Sequence, residues 1–129
     1  MDAYFSDDII YVFFQDGSMV YVEISKELEI KSHQKVEWEY GLEDGKLEDG
    51  CFVDFGDQIV LFSQTHAFKV SKNNIEKLSG YQRSQMFLSA VSINNQSAAV
   101  ISLNSIIIYT LNGSDLVIVD QYEGSNQNS

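Results

Sequence analysis

Eight carboxylates crowd into a stretch of 21 residues: Glu37, Glu39, Glu43, Asp44, Glu48, Asp49, Asp54 and Asp57 are opposed there only by Lys46. Trp38 and Tyr40 alternate with the first of them. Acids beside large aromatics suit protein recognition, because carboxylates steer toward Lys and Arg while aromatics supply central anchors. These ten residues, Glu37 to Tyr40 with Glu43, Asp44, Glu48, Asp49, Asp54 and Asp57, form the candidate partner-binding set. Other chemistries find less to work with. His33, His66 and Cys51 are isolated in sequence, with no Cys-x-x-Cys or His-x-x-x-His pair to hold zinc. The acids from Glu43 to Gly50 lack the alternating oxygens and closing glutamate of a calcium loop. Asp54-Phe55-Gly56-Asp57 reads as an acidic turn between strands. There is no Gly-x-Ser-x-Gly elbow and no glycine-rich phosphate loop, and carboxylate pairs are too abundant to mark glycoside chemistry. Cys51 reads as a small buried residue at a strand start. His66 reads as a hydrogen-bonded core histidine that begins a strand, on the face of Phe68 and Val70. The expectation is a protein with no catalytic residue, no metal and no cofactor.

The charge balance narrows the partner. With 19 acids and 8 bases among 129 residues, the formal charge is −11. Counterion release on nucleic acid needs Lys and Arg clusters that are missing here, which excludes that ligand class. The charge is also polarised: residues 1–65 hold 15 acids and 4 bases, residues 66–129 four of each. Asp7 and Asp8 could join an acidic patch, but read more simply as capping the first strand. The acidic start, Met1-Asp2 onward, does not resemble a secretory leader. The apolar stretch from Ala98 to Val119 is broken at Asn104-Ser105 and Asn112 to Asp115, short of the roughly 18 residues a membrane helix needs. A single cysteine excludes an internal disulfide and fits a reducing compartment. A cytoplasmic protein without a membrane partner is expected.

The elements that must position the acids have the pattern of strands. Ile9 to Phe14 and Met19 to Ile24 are β-branched and aromatic runs flanking Asp16-Gly17, which predicts a hairpin with a tight type I′ turn. Leu28-Glu29-Ile30 would extend it to a three-stranded meander. Gln58 to Phe62, His66 to Val70 and Ile75 to Leu78 repeat that order, with Gln64-Thr65 as a turn. Phe87 to Ile93, Ala98 to Leu103, Ile106 to Leu111 and Leu116 to Val119 give four further strands. Val36 to Tyr40 alternates as a strand, with Asp-Gly turns at 44–45 and 49–50 after it. Only Asn74 to Phe87 leaves room for a turn or two of helix. The run Ile106 to Leu111 beside Leu116 to Val119 predicts strands buried on both faces. Residues 1–122 are expected to form one all-β domain and Glu123 to Ser129 a frayed tail.

Tyr21 to Lys26, Phe68 to Lys72 and Ile108 to Gly113 occupy equivalent places about 40 to 50 residues apart, a period typical of stacked four-stranded units. On these residues the chain resembles a run of WD40-like β-propeller blades over residues 3–122, with Phe87 to Gln121 the best blade. It lacks the Gly-His and Trp-Asp pairs of that family; Val119-Asp120 is a faint echo of the second. The resemblance implies a rigid platform for protein partners and carries over no site residue. Three blades are too few to close a propeller, so a partial arc, a compact barrel and a two-layer sandwich stay open, and an arc would invite a homodimer through exposed strand edges. In size and charge the chain is also similar to small acidic immunity proteins that neutralise basic toxins, nucleases among them. The expected function is a binding module that masks a basic partner's active or nucleic-acid-binding face; the alternative is a scaffold fragment completing a sheet with another subunit.

Overall fold

Twelve strands and no helix make up the computed structural model, which describes residues 2–14, 16–36, 49–71, 74–82 and 87–124, Leu88 in its backbone only. The first sheet holds β1 (Asp2–Ser6), β2 (Ile9–Phe13), β3 (Met19–Ile24) and β4 (Ile30–Lys35); the second β5 (Gly50–Asp54), β6 (Ile59–Ser63), β7 (Ala67–Ser71) and β8 (Asn74–Lys77); the third β9 (Phe87–Asn94), β10 (Ser97–Ser102), β11 (Ser105–Asn112) and β12 (Asp115–Glu123). Each sheet is an antiparallel meander in which consecutive strands are neighbours, and none closes into a barrel among the described residues. This is the all-β, three-unit architecture the residue pattern predicts. The chain divides into two compact units, Met1–Gly50 and Cys51–Ser129.

In the first unit the hairpin forms where expected, with Phe13 opposite Met19, but its turn is of a different kind. The N–H of Gly17 donates to the Phe14 carbonyl at 2.9 Å and the Phe14 N–H to the Ser18 carbonyl at 2.9 Å. Gly17 has φ +86°, whereas Asp16 is not in the left-handed region, so the turn closes on a glycine bulge and not on a pair of left-handed residues. The two-residue loop with both central φ values positive lies one hairpin earlier: Asp7 and Asp8, at +52° and +65°, join β1 to β2 between Ser6 and Ile9. Their short side chains tolerate that conformation. They are turn residues and not caps. The β3–β4 loop repeats the bulge pattern with Leu28, φ +65°, in the glycine place. One face of this sheet is buried through Ile9, Tyr11, Phe13, Met19 and Tyr21. Tyr11 and Tyr21 are cross-strand partners whose rings meet edge to face, centroids 5.1 Å apart.

The second unit packs its two sheets across one core. Val53, Val60, Phe62 and Ala67 from β5 to β7 meet Ala90, Ala98, Val100, Ile107, Tyr109 and Leu116 from β9 to β12. Phe62, Tyr81 and Tyr109 cluster at the centre, with centroid separations of 5.5 to 6.3 Å. Tyr81 donates to the Ser63 carbonyl, and the Gln82 N–H donates to the Tyr109 hydroxyl oxygen at 3.0 Å. The two sheets are also tied at an edge. The Ser79 N–H donates to the Ser114 carbonyl at 3.1 Å and the Leu116 N–H to the Ser79 carbonyl at 2.8 Å, a parallel bridge at the start of β12. Gly80, φ +83°, lets the chain pass: a Cβ there would lie 2.0 Å from the Leu116 carbonyl oxygen.

Several expectations are corrected by burial and pairing. The strand buried on both faces is β6, all five of whose residues are buried. β11 instead alternates, and on β12 only Leu116 is buried while Val117, Ile118 and Val119 are exposed. The strand expected at Leu28-Glu29-Ile30 is displaced to Ile30–Lys35, the fourth strand of the first sheet, which is exposed throughout and polar from Lys31 onward. Asn74–Lys77 is a strand, so no helix starts there; residues 83–86 of the expected stretch lie outside the described residues. The last strand runs on to Glu123, opposite Ser105, one residue into the expected tail.

Candidate protein-interaction surfaces

Of the ten candidate acidic and aromatic residues, Glu37, Trp38, Glu39, Tyr40, Glu43, Asp44 and Glu48 lie outside the described residues, as does most of the predicted Val36 to Tyr40 strand. The structure places the other three. Asp49 precedes β5, Asp54 ends it, and Asp57 sits in the turn into β6; all three are exposed. That turn is closed by the Phe55 N–H donating to the Gln58 carbonyl at 2.8 Å, with Phe55 buried beneath it. Alternation along β5 explains the pairing of roles. Val53 and Phe55 point into the core, and Asp54 between them is turned to water.

The remaining chemistry-bearing side chains are engaged structurally. Cys51 is half-buried in β5, its thiol directed at the Ala90 carbonyl at 3.3 Å. His66 precedes β7; its Nδ1 lies 2.6 Å from the Thr65 hydroxyl, and its ring stacks on Phe68 with centroids 5.6 Å apart. Its main-chain N–H donates to the buried Ser63 hydroxyl at 3.1 Å. His33 is exposed on β4. Among the described residues no group of three or more His, Cys, Asp or Glu is placed to hold a metal ion, and no helix is long and apolar enough to cross a membrane.

Local electrostatics are set by turns and burial. Ser18 donates to the Asp16 carboxylate from its hydroxyl at 2.6 Å and its N–H at 2.9 Å. These bonds, with a smaller part from Lys35, hold the Asp16 carboxyl below its ordinary value. Burial pushes the Tyr21 hydroxyl up to about 12, helped by Tyr11 beside it. Tyr11 is raised by burial and then by the charge of Asp7. Tyr109 is raised by burial, against the opposing Gln82 N–H.

Two further surfaces were not singled out from the residue pattern. On the β1–β4 sheet, the face opposite the tyrosines carries the rows Phe5-Ile10-Val22-His33 and Ala3-Val12-Val20-Lys35. On the β9–β12 sheet, the face opposite the core carries Val91-Ala99-Ile108-Asp120 and Ser89-Ile101-Ile106-Tyr122. Phe5, Val91, Ile106, Val117 and Tyr122 are well exposed on them. A period-two signal was present in Lys31-x-His33-x-Lys35, the mark of a strand with one basic face. The apolar face of β11 and β12 gave no such signal, since a continuous apolar run does not say which residues face outward. Comparison with known proteins finds no matching family model, no matching curated protein and no matching solved structure.

Proposed function

We propose that this chain is a non-enzymatic, acidic protein-binding module that masks the active or nucleic-acid-binding face of a basic protein, in the manner of an immunity protein against a toxin such as a nuclease. The observation that carries this reading is the charge distribution: all of the net −11 lies in residues 1–65, densest from Glu37 to Asp57 beside Trp38 and Tyr40. The exposure of Asp49, Asp54 and Asp57 supports it. An acidic surface can occupy a site built for phosphates, associating fast and with strong salt dependence. The test is affinity capture from the source's lysate with the intact chain, washed at low and then high salt, and repeated with Glu37, Glu39, Glu43 and Asp44 reversed to lysine. Capture of one basic protein that salt releases, and that the reversed variant loses at unchanged thermal stability, is the expected result. Equal capture by both chains overturns the reading.

A second reading is favoured by the exposed apolar face of the β9–β12 sheet. In it the chain is a scaffold fragment related to β-propeller blades, completed by another subunit. Salt-resistant capture of β-rich subunits would support that reading.

A further inference from the structure

The two outer faces are largely apolar, and the strands at their edges are opposite in charge. On the β1–β4 sheet Phe5 is 59% exposed, with Ile10 and Val22 beside it in register, and the adjoining edge strand β4 carries Lys31, His33 and Lys35 with no acid. On the β9–β12 sheet Ile106, Val117 and Tyr122 are 39%, 48% and 64% exposed, and the edge strand β12 carries Asp115, Asp120 and Glu123 with no base. Residues 87–124 hold no Lys or Arg at all. A solvated face of an antiparallel sheet is ordinarily polar, and contiguous exposed apolar residues rimmed by charge mark a contact surface.

We infer that each face takes a second copy of this chain, the outer face of β1–β4 of one copy seating on the outer face of β9–β12 of another. Charge decides between this head-to-tail contact and the symmetric ones. Packing β9–β12 on itself adds acid to acid, with no base in that sheet to answer. Packing β1–β4 on itself offers His33 and Lys35 no acid in the rows Phe5-Ile10-Val22-His33 and Ala3-Val12-Val20-Lys35. Only the mixed contact brings Lys31 and Lys35 toward Asp120. The faces, and not the edge of β12, are the contact, because that edge is already blunted. Ser79 occupies its start, the register shifts between Ile108 and Tyr109, and the Asp120 carboxylate accepts the Gln121 N–H at 2.8 Å.

The inference is independent of any basic partner: self-association is measured on the purified chain alone, so either proposal can fail without the other. Sedimentation velocity over a concentration series compares the natural chain with Phe5→Asp and Val117→Asp. The natural chain should associate, each variant should weaken the association by about tenfold or more, and an equimolar mixture of the variants should form one-to-one pairs, since each supplies the face the other lacks. A natural chain that stays monomeric throughout, or a mixture that stays monomeric, overturns the inference. Should either variant fail to fold, Lys35→Glu and Asp120→Lys serve instead: each alone should weaken association, and the two combined in one chain should restore it. No restoration again overturns it.

Discussion

Gly80→Ala is the sharpest perturbation this fold offers. An alanine Cβ at position 80 would stand 2.0 Å from the Leu116 carbonyl oxygen and 3.1 Å from its carbon, both backbone atoms that no side-chain rotation can move aside. Non-bonded heavy atoms rest at about 3.5 Å, so the 79–80 segment must withdraw by more than an ångström. The Leu116 N–H to Ser79 carbonyl bond, at 2.8 Å, does not survive such a shift. Holding alanine in left-handed backbone costs about 1–2 kcal/mol and the lost hydrogen bond about 1 kcal/mol, while alanine's smaller unfolded-state freedom returns about 0.4–1 kcal/mol. The net destabilisation is roughly 2 kcal/mol, a Tm drop on the order of 10 °C. Gly113→Ala is the internal control. Its φ is +65° but nothing lies within 4 Å of the added Cβ, so it carries the conformational part alone. Urea unfolding of both variants should place Gly80→Ala below Gly113→Ala by about 1 kcal/mol or more. Equal midpoints would refute the clash argument, and a Gly80→Ala chain as stable as the natural one would refute the bridge between segment 79–80 and β12.

Leu28→Gly should stabilise the protein by about 0.5–1 kcal/mol in urea unfolding, because Leu28 is 87% exposed, buries little and holds φ +65° without need. A loss of stability would show that its side chain does packing work. Tyr21 should ionise near 12 in a spectrophotometric titration. Its raised value means that the contribution of its neutral form is full below the ordinary tyrosine range near 10 and lost as pH climbs through 12; Tyr21→Phe should therefore flatten the alkaline arm of the stability curve. Ser18→Ala should raise the Asp16 pKa toward its ordinary value in an NMR titration. The Asp16 contribution is present above the unfolded carboxylate value and disappears as pH falls through the lowered folded value, so the variant, with its two values closer together, should show less of it at neutral pH and a flatter acid arm.

The hairpin around Asp16-Gly17 was legible because local signals agree there: β-branched runs on both sides and a glycine that the bulge uses. The last four strands were legible for the same reason. β1 went unread, since Asp2-Ala3-Tyr4-Phe5-Ser6 has modest strand preference and gains its place by pairing with β2. β4 was misplaced because Lys31, Ser32, His33, Gln34 and Lys35 bury nothing and are held by the ladder to β3. Which strand is buried twice over was not readable, because Ile59 to Phe62 and Ile106 to Leu111 are both continuous apolar runs and only the sheet's surroundings separate them. Of the candidate site, Asp54 and Asp57 stand exposed beside one turn, as the Asp54 to Asp57 reading expects. The outer faces were missed because strand alternation names two sides without saying which one is covered.

Every ladder among the described residues joins strands that are consecutive in the chain. Among those residues no sheet waits for a distant strand: β1 to β4 pair with one another between Asp2 and Lys35. Low sequence separation of contacts favours fast folding, because little loop entropy is lost before pairing begins to stabilise. On a ribosome each meander would have its full set of partner strands as soon as its last strand emerged, and the steps left for later would be the closing of the core between β5–β8 and β9–β12 and the single stitch of Ser79 to the start of β12.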